Sequence, residues 1–326
     1  MLRVISVIAS LLMAAFAGAV SAQDYPTRTV SLIVPFAAGG PTDTLARNLA
    51  QHMTKTLKQQ VIVENRVGAG GTLGVGLVAK SKPDGYQVLL HHIGMSTAPT
   101  LYRKLPFNPL TDFEYIGQVA DVPMTLIART GLPPDNYKDF VAYVKANKDK
   151  LNMGNAGLGA ASHLCGLLFM SRIEADIQTI PYTGTGPAMS ALMGNQVDLM
   201  CDQTTNTSSH IEAGKVIGYG VTTAKPLTTA ALKDLPTLSD AGLKGFEVVV
   251  WQGLYAPKGT PTEVVVKLNS ALKAALKDAD FIKKQEGLGA IVVTGKRLDV
   301  DEHKKFVAAE IARWSPVIKA AGVYAD

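Results

Sequence analysis

Residues 30–47 read VSLIVPFAAGGPTDTLAR, and the fold follows from how this stretch is parsed. The apolar run Val30–Val34 is the pattern of a buried strand. Gly39 and Gly40 break it, and Pro41 stands where proline opens a helix. Leu45, Leu49, Met53 and Leu57 then recur every fourth residue, the stripe of an amphipathic helix. A strand, a glycine turn and a helix start leave unpaired backbone N–H groups aimed at one spot, with the positive end of the helix dipole behind them. That arrangement favours an anion. No lysine follows the glycines, so the turn is not a Walker-type nucleotide loop.

The same succession recurs at residues 154–163 and 182–187, each passing through small or hydroxyl residues into a helix start. In open α/β sheets, ligands bind in crevices at strand ends. Three such turns with free hydroxyls favour a ligand site over merely structural glycines. Outward from these turns, strands are predicted at 61–63, 86–91, 151–155, 177–182, 197–201, 216–222, 248–251 and 291–293. Two separate strand-like runs surround 115–117 and 124–128. Helices are predicted from Gly68–Gly71 to about Lys80, through Tyr137–Val144, through Leu164–Phe169 and from Pro187. A further helix runs from a Thr260-Pro261-Thr262-Glu263 capping box to about Lys277, and a last one carries Phe306, Ile311, Trp314 and Ile318. Pro99, Pro106 and Pro109 mark 99–112 as irregular. Trp251 and Phe36 can each pack in the core or wall a cleft, and Trp251 is read as core. Regular alternation of this kind predicts an α/β fold with mainly parallel sheets flanked by helices.

Ahead of this lies Met1-Leu2-Arg3, an apolar run Val4–Val20, and small residues at Val20-Ser21-Ala22. This is a secretory signal peptide with cleavage after Ala22; a membrane anchor is the competing reading, and the run is short for one. Removing residues 1–22 takes away Arg3 alone and leaves 31 basic against 27 acidic residues, a net +4. The excess is scattered, with no basic run or aromatic ladder for nucleic acid. No later stretch is apolar enough to span a bilayer, and 304 residues exceed one usual core, so two domains are expected. Cys165 and Cys201 both fall in the middle third of the chain. Export permits a disulfide between them; two buried free thiols are the alternative.

Catalytic patterns are weak. Ser162-His163 and Ser208-Ser209-His210 place serine beside histidine, but adjacent helical residues face different directions. No GxSxG elbow and no HExxH or CxxC spacing occurs. His91 and His92 are strand neighbours expected on opposite faces, so they would not share a metal, though one of them can line a cleft. The GxGxxA match at Gly74–Ala79 lies inside a helix, and Gly157–Ser162 lacks its third glycine; neither is a dinucleotide site. Asp43 beside an anion site would repel the ligand, so it is read as a helix-start group accepting backbone N–H bonds.

These residues resemble the periplasmic solute-binding proteins of tripartite tricarboxylate transporters, the Bug or TctC-like family. The resemblance spans essentially the whole mature chain and rests on Val34–Asp43, Glu64–Gly71, Lys82–Tyr86, Gly159–His163, Pro181–Gly184 and Gly253–Pro261. It implies two α/β lobes closing like a flytrap: residues 23–124 plus 247–326, and an inserted lobe of 125–246 holding both cysteines. The chain would cross near Val122–Leu126 and return near Phe246–Trp251. It also implies a carboxylate held by the facing turns, which here are Phe36, Ala37, Gly39, Gly40, Thr42 and Asp43 against Asn155, Gly157, Gly159, Ala160 and Ser162. Tyr182, Thr183 and Gly184 would lie nearby. His92, Ser96, Asp202 and Gln203 follow strands and are expected at the distal end of the ligand, suiting a second polar group such as that of a dicarboxylate, an aromatic carboxylate such as terephthalate, or a tricarboxylate. The implied role is a monomeric, non-enzymatic periplasmic receptor without cofactor or metal, delivering its carboxylate to TctA/TctB-like membrane subunits. An exported serine hydrolase using Ser162 and a sensory partner of a membrane kinase are the alternatives.

Overall fold

The computed structural model describes residues 25–322, 324 and 325; the signal peptide and its cleavage site lie outside them. The opening unit forms as parsed. Strand β1 (Val30–Val34) turns through Pro35–Gly40 into helix α1 (Pro41–Leu57). Leu45, Leu49, Met53 and Leu57 are all buried, each stabilising the docked helix by roughly 1.5–3 kcal/mol.

The chain continues through β2 (Val61–Asn65), α2 (Thr72–Ala79), β3 (Gln87–His92), α3 (Gly94–Leu101) and β4 (Phe113–Arg129). A second series follows: α4 (Tyr137–Asn147), β5 (Asn152–Asn155), α5 (Ala161–Ile173), β6 (Gln178–Pro181), α6 (Thr185–Met193), β7 (Leu199–Gln203), α7 (Thr204–Glu212) and β8 (Val216–Val221). The chain returns along β9 (Val249–Pro257) and closes with α8 (Thr262–Ala275), α9 (Ala279–Gly287), β10 (Ile291–Val292) and α10 (Val300–Ala321).

The strands form one curled sheet in the order β2-β1-β3-β9-β4-β7-β5-β6, with β8 and β10 also pairing with β4. Parallel pairs occupy the two flanks, where β1 joins β2 and β3, and β5 joins β6 and β7. Every pair made by β4 or β9 is antiparallel. The result is a two-lobed α/β fold in which β4 serves both sheet halves. Cys165 on α5 and Cys201 on β7 form a disulfide, with Cα atoms 5.9 Å apart, which ties helix to strand in the second lobe. No helix among the described residues is long and apolar enough to cross a membrane.

Four local expectations need correction. The two runs around 115–117 and 124–128 are one 17-residue strand, β4. Register shifts against β9 skip Ile116 and Val119, and Pro123 falls between the residues paired with β10, up to Asp121, and those paired with β7, from Met124. A missing N–H there breaks no bond to either strand. Pro99 lies inside α3, a short helix held by buried Met95, Ala98 and Leu101. The capping box does not form, because the Thr260 hydroxyl donates to Pro257 O and α8 starts without a side-chain cap. Helix α6 begins at Thr185, two residues before Pro187.

Candidate functional site

Four helix starts converge on the junction between the lobes. Helices α1, α5, α6 and α7 begin behind Gly40, Ala160, Gly184 and Gln203, and none of these supplies a side-chain cap. Two helices away from the junction do carry side-chain caps: Asn136 accepts from Asp139 N on α4, and Asp278 from Asp280 N on α9. Between the uncapped starts is a small, tightly closed cavity. It is lined by Gly40, Pro41 and Thr42 of α1, Ala160, Ala161 and Ser162 at α5, Thr185 of α6, and Gln203 before α7. Phe36, His92, Ala156 and Asp202 complete the wall. No lysine or arginine lines it. Positive potential therefore comes from backbone N–H groups and helix dipoles, a setting suited to a carboxylate.

The first turn is organised by Asp43. Its Oδ2 accepts from Gly39 N at 3.0 Å, and its two oxygens accept from Arg47 Nε at 2.9 Å and Nη2 at 3.0 Å. Asn65 Nδ2 donates to Asp43 Oδ1 and to Phe36 O. Burial alone would raise the Asp43 pKa, but the bonds from Arg47, Gly39 and Asn65 outweigh it and hold the carboxyl below its usual range. Gly39 takes φ +81°, a conformation that favours glycine.

The second turn uses neutral groups. Asn155 Oδ1 accepts from Gly157 N, Ser162 Oγ from Ala156 N, and His163 Nδ1 from Gly159 N. Burial pushes the His163 pKa down to about 4, so the ring is neutral and suited to accept that bond. Ser162 and His163 each hold backbone, and neither is aimed at the other as nucleophile and base.

The lobes are closed on this cavity. Ala37 N donates to Thr183 O at 3.3 Å, and Gln252 Nε2 donates to Gln203 Oε1 at 2.9 Å with Thr42 Oγ1 at 3.5 Å. The Tyr102 hydroxyl lies 2.6 Å from Leu158 O and 2.8 Å from Ala69 O.

His91 and His92 depart from expectation. Strand β3 ends at His92 and the chain turns directly into α3, so the rings meet at 4.5 Å instead of parting, both against Phe36. His92 Nδ1 accepts from Gly94 N at 3.0 Å, which leaves the neutral ring's proton on Nε2. Burial lowers the His92 pKa to about 3 and drives that of His91 down as well. No cluster of three or more metal-ligating side chains occurs among the described residues.

Of the residues singled out from sequence, Phe36, Gly40, Thr42, His92, Ala160, Ser162, Asp202 and Gln203 share the cavity. Gly157, Tyr182 and Thr183 line a wider cleft at its mouth with Gly68–Gly71 and Tyr102, and Gly39 lies on a separate opening beside α6. Ala37 and Gly184 pack against each other across the lobes, and Gly159 sits under the Tyr102 ring. Asp43 and Asn155 hold their turns from behind. The Ser96 hydroxyl is buried and donates to Ile93 O, away from the cavity. Trp251 is in the core, its Nε1 donating to Glu310. Pro41, Ala156, Ala161 and Thr185 fall within the turns read from sequence and line the cavity as well. What sequence reasoning missed is that Gln203-Thr204 is a fourth helix start; the run of hydroxyl residues after β7 was its signal.

Residues 45–323 match the model of the tripartite tricarboxylate transporter family receptor. The periplasmic binding protein BugD superposes with a TM-score of 0.90 at 51% identity, over 92% of this chain and 99% of BugD. MatC of Rhodopseudomonas palustris with bound malate gives 0.87 at 40%, over 90% and 100%. A second R. palustris protein, solved with adipate, gives 0.86 at 34%, over 92% and 99%. These relatives are binding proteins rather than enzymes.

Proposed function

The chain belongs to the tripartite tricarboxylate transporter receptor family, and from that premise we propose that it captures a small organic dicarboxylate between its lobes and delivers it to membrane transporter subunits. One observation carries the ligand class. Four uncapped helix starts surround a cavity that no lysine or arginine lines. One carboxylate is received by the turn Phe36–Asp43 facing Asn155–Ser162, and a second polar group lies toward His92, Asp202 and Gln203. The malate and adipate seen in two relatives support a second carboxylate over the aromatic and tricarboxylate alternatives. The lobes divide where β4 and β9 cross, giving 23–124 plus 247–326 and 125–246. The mature protein acts as a monomer in the periplasm. Closure follows from contacts that only the closed lobes make with the ligand.

A thermal-shift screen of mono-, di- and tricarboxylates tests this. A ligand at 100 times its Kd adds about 2.7 kcal/mol, which raises Tm by at least a few degrees for a protein of this size. The largest shift is expected among four- to six-carbon dicarboxylates. No shift with any organic acid would sink the proposal.

A further inference from the structure

Asp202 is the anomaly of the cavity. It is the last residue but one of β7, its side chain is fully buried, and it lies in the wall of a cavity without a cation. Asn206 Nδ2 donates to Oδ2 at 2.6 Å, while Oδ1 has no partner. A buried oxygen without a partner is costly in a folded protein and stands out where it faces a binding site. The other titratable group in the wall is His92 of β3, neutral through burial, with His91 neutral behind it. His163 on α5 is neutral and committed to Gly159, and Asp43 on α1 is committed to Arg47. His210 on α7 lies outside this wall, its pKa lowered by partial burial and Lys215. Nothing positive is therefore at hand to offset an ionised Asp202 except the helix starts themselves.

We propose, resting on the dicarboxylate reading above, that Asp202 is the specificity-determining residue of the distal end: as the neutral acid it donates a hydrogen bond from Oδ1 to the ligand's second carboxylate, so that capture takes up one proton. Two carboxylates in hydrogen-bond contact disfavour being ionised together and are stabilised by sharing one proton. The helix starts then neutralise the ligand while Asp202 rejects acids that cannot accept its proton. Burial in this closed conformation pushes the Asp202 carboxyl up to about 7, which brings the proton uptake into the neutral range.

The test is isothermal titration with malate and adipate in phosphate and in Tris, from pH 6.5 to 8.5. Affinity is expected to weaken as the pH rises over that range, by at most about tenfold per pH unit for uptake of one proton. The heats in the two buffers should show close to one proton taken up at the alkaline end. Asp202→Asn cannot ionise but keeps both an acceptor for Asn206 and a donor for the ligand. It should bind with the affinity of the acidic wild type and lose the pH dependence. Wild-type affinity that is flat, or that rises with pH because an ionised Asp202 accepts from the ligand, overturns the proposal while leaving the receptor function intact. Absence of binding by every organic acid overturns both.

Discussion

The turn before α1 and the turn before α5 face each other across the cavity and present the same thing to it, an uncapped helix start. They are held by opposite chemistry. The first relies on a carboxylate, with Asp43 gathering Gly39, Asn65 and Arg47. The second is neutral, with Asn155, Ser162 and His163 each holding one backbone N–H. Its helix is also bonded covalently to β7 through Cys165–Cys201, next to Asp202. Backbone geometry is therefore what the site requires, and the side chains that enforce it are interchangeable so long as they do not cap the helix. The sole carboxylate near the first turn is tolerated because Arg47 consumes its charge.

The comparison is broken most severely through the disulfide. Its closed loop spans 36 residues, for which chain entropy gives about 4 kcal/mol. Cys165→Ala with Cys201→Ala should lower stability by that order in calorimetry, and reduction of the wild type should do the same. A loss under about 1 kcal/mol would show that packing alone seats α5.

The glycines come next. Gly159 has φ +78°, and a Cβ there would lie 2.8 Å from the Tyr102 ring. Gly159→Ala is expected to cost about 2 kcal/mol in stability and to weaken malate or adipate binding at least tenfold. Gly40 has φ −87°, which alanine adopts freely, but its Cβ would meet Thr185 Oγ1 at 2.8 Å. Gly40→Ala should leave stability unchanged and weaken binding alone, by obstructing closure. Equal effects in both assays for the two variants would erase the distinction.

Smallest is Asp43→Asn, at about 1 kcal/mol, because Arg47 is half exposed and solvent screens the pair. The folded pKa of Asp43 lies below its unfolded value, so its contribution is present above about pH 4 and disappears as the pH falls further. Wild type and variant should therefore converge in acid. A second turn unaffected over the same range, read from Ser162→Ala, would sharpen the contrast between charged and neutral support.

Much of this was legible in sequence wherever a local pattern controls a local outcome. The stripe Leu45–Leu57 packs as the period-four spacing demands, and Gly39 marks a true positive φ. Legibility failed where tertiary context decides. The runs around 115–117 and 124–128 were read apart, but they are one strand, with Pro123 at the handover between β10 and β7 as partners. Thr260-Pro261-Thr262-Glu263 matched a capping box, yet the Thr260 hydroxyl found Pro257 O first. His91 and His92 alternate only while the strand continues, and it stops beneath them. Within the site, the glycine turns announced themselves, that of Thr185 included, whereas the start of α7 did not. Nothing in a run of threonines distinguishes a helix start facing a cavity from one facing water.

The position of β9 has a consequence for how the chain is made. Strands β1–β3 reach the rest of the sheet only through β9, which lies between β3 and β4. As synthesis proceeds from the N-terminus, residues 30–92 emerge long before 249–257 exist to join them to β4. The inserted segment, by contrast, has β4 to pair with as soon as β7 appears. The middle of the chain is thus free to fold first, and the first lobe waits for its last third. Pairings of such long sequence separation fold slowly.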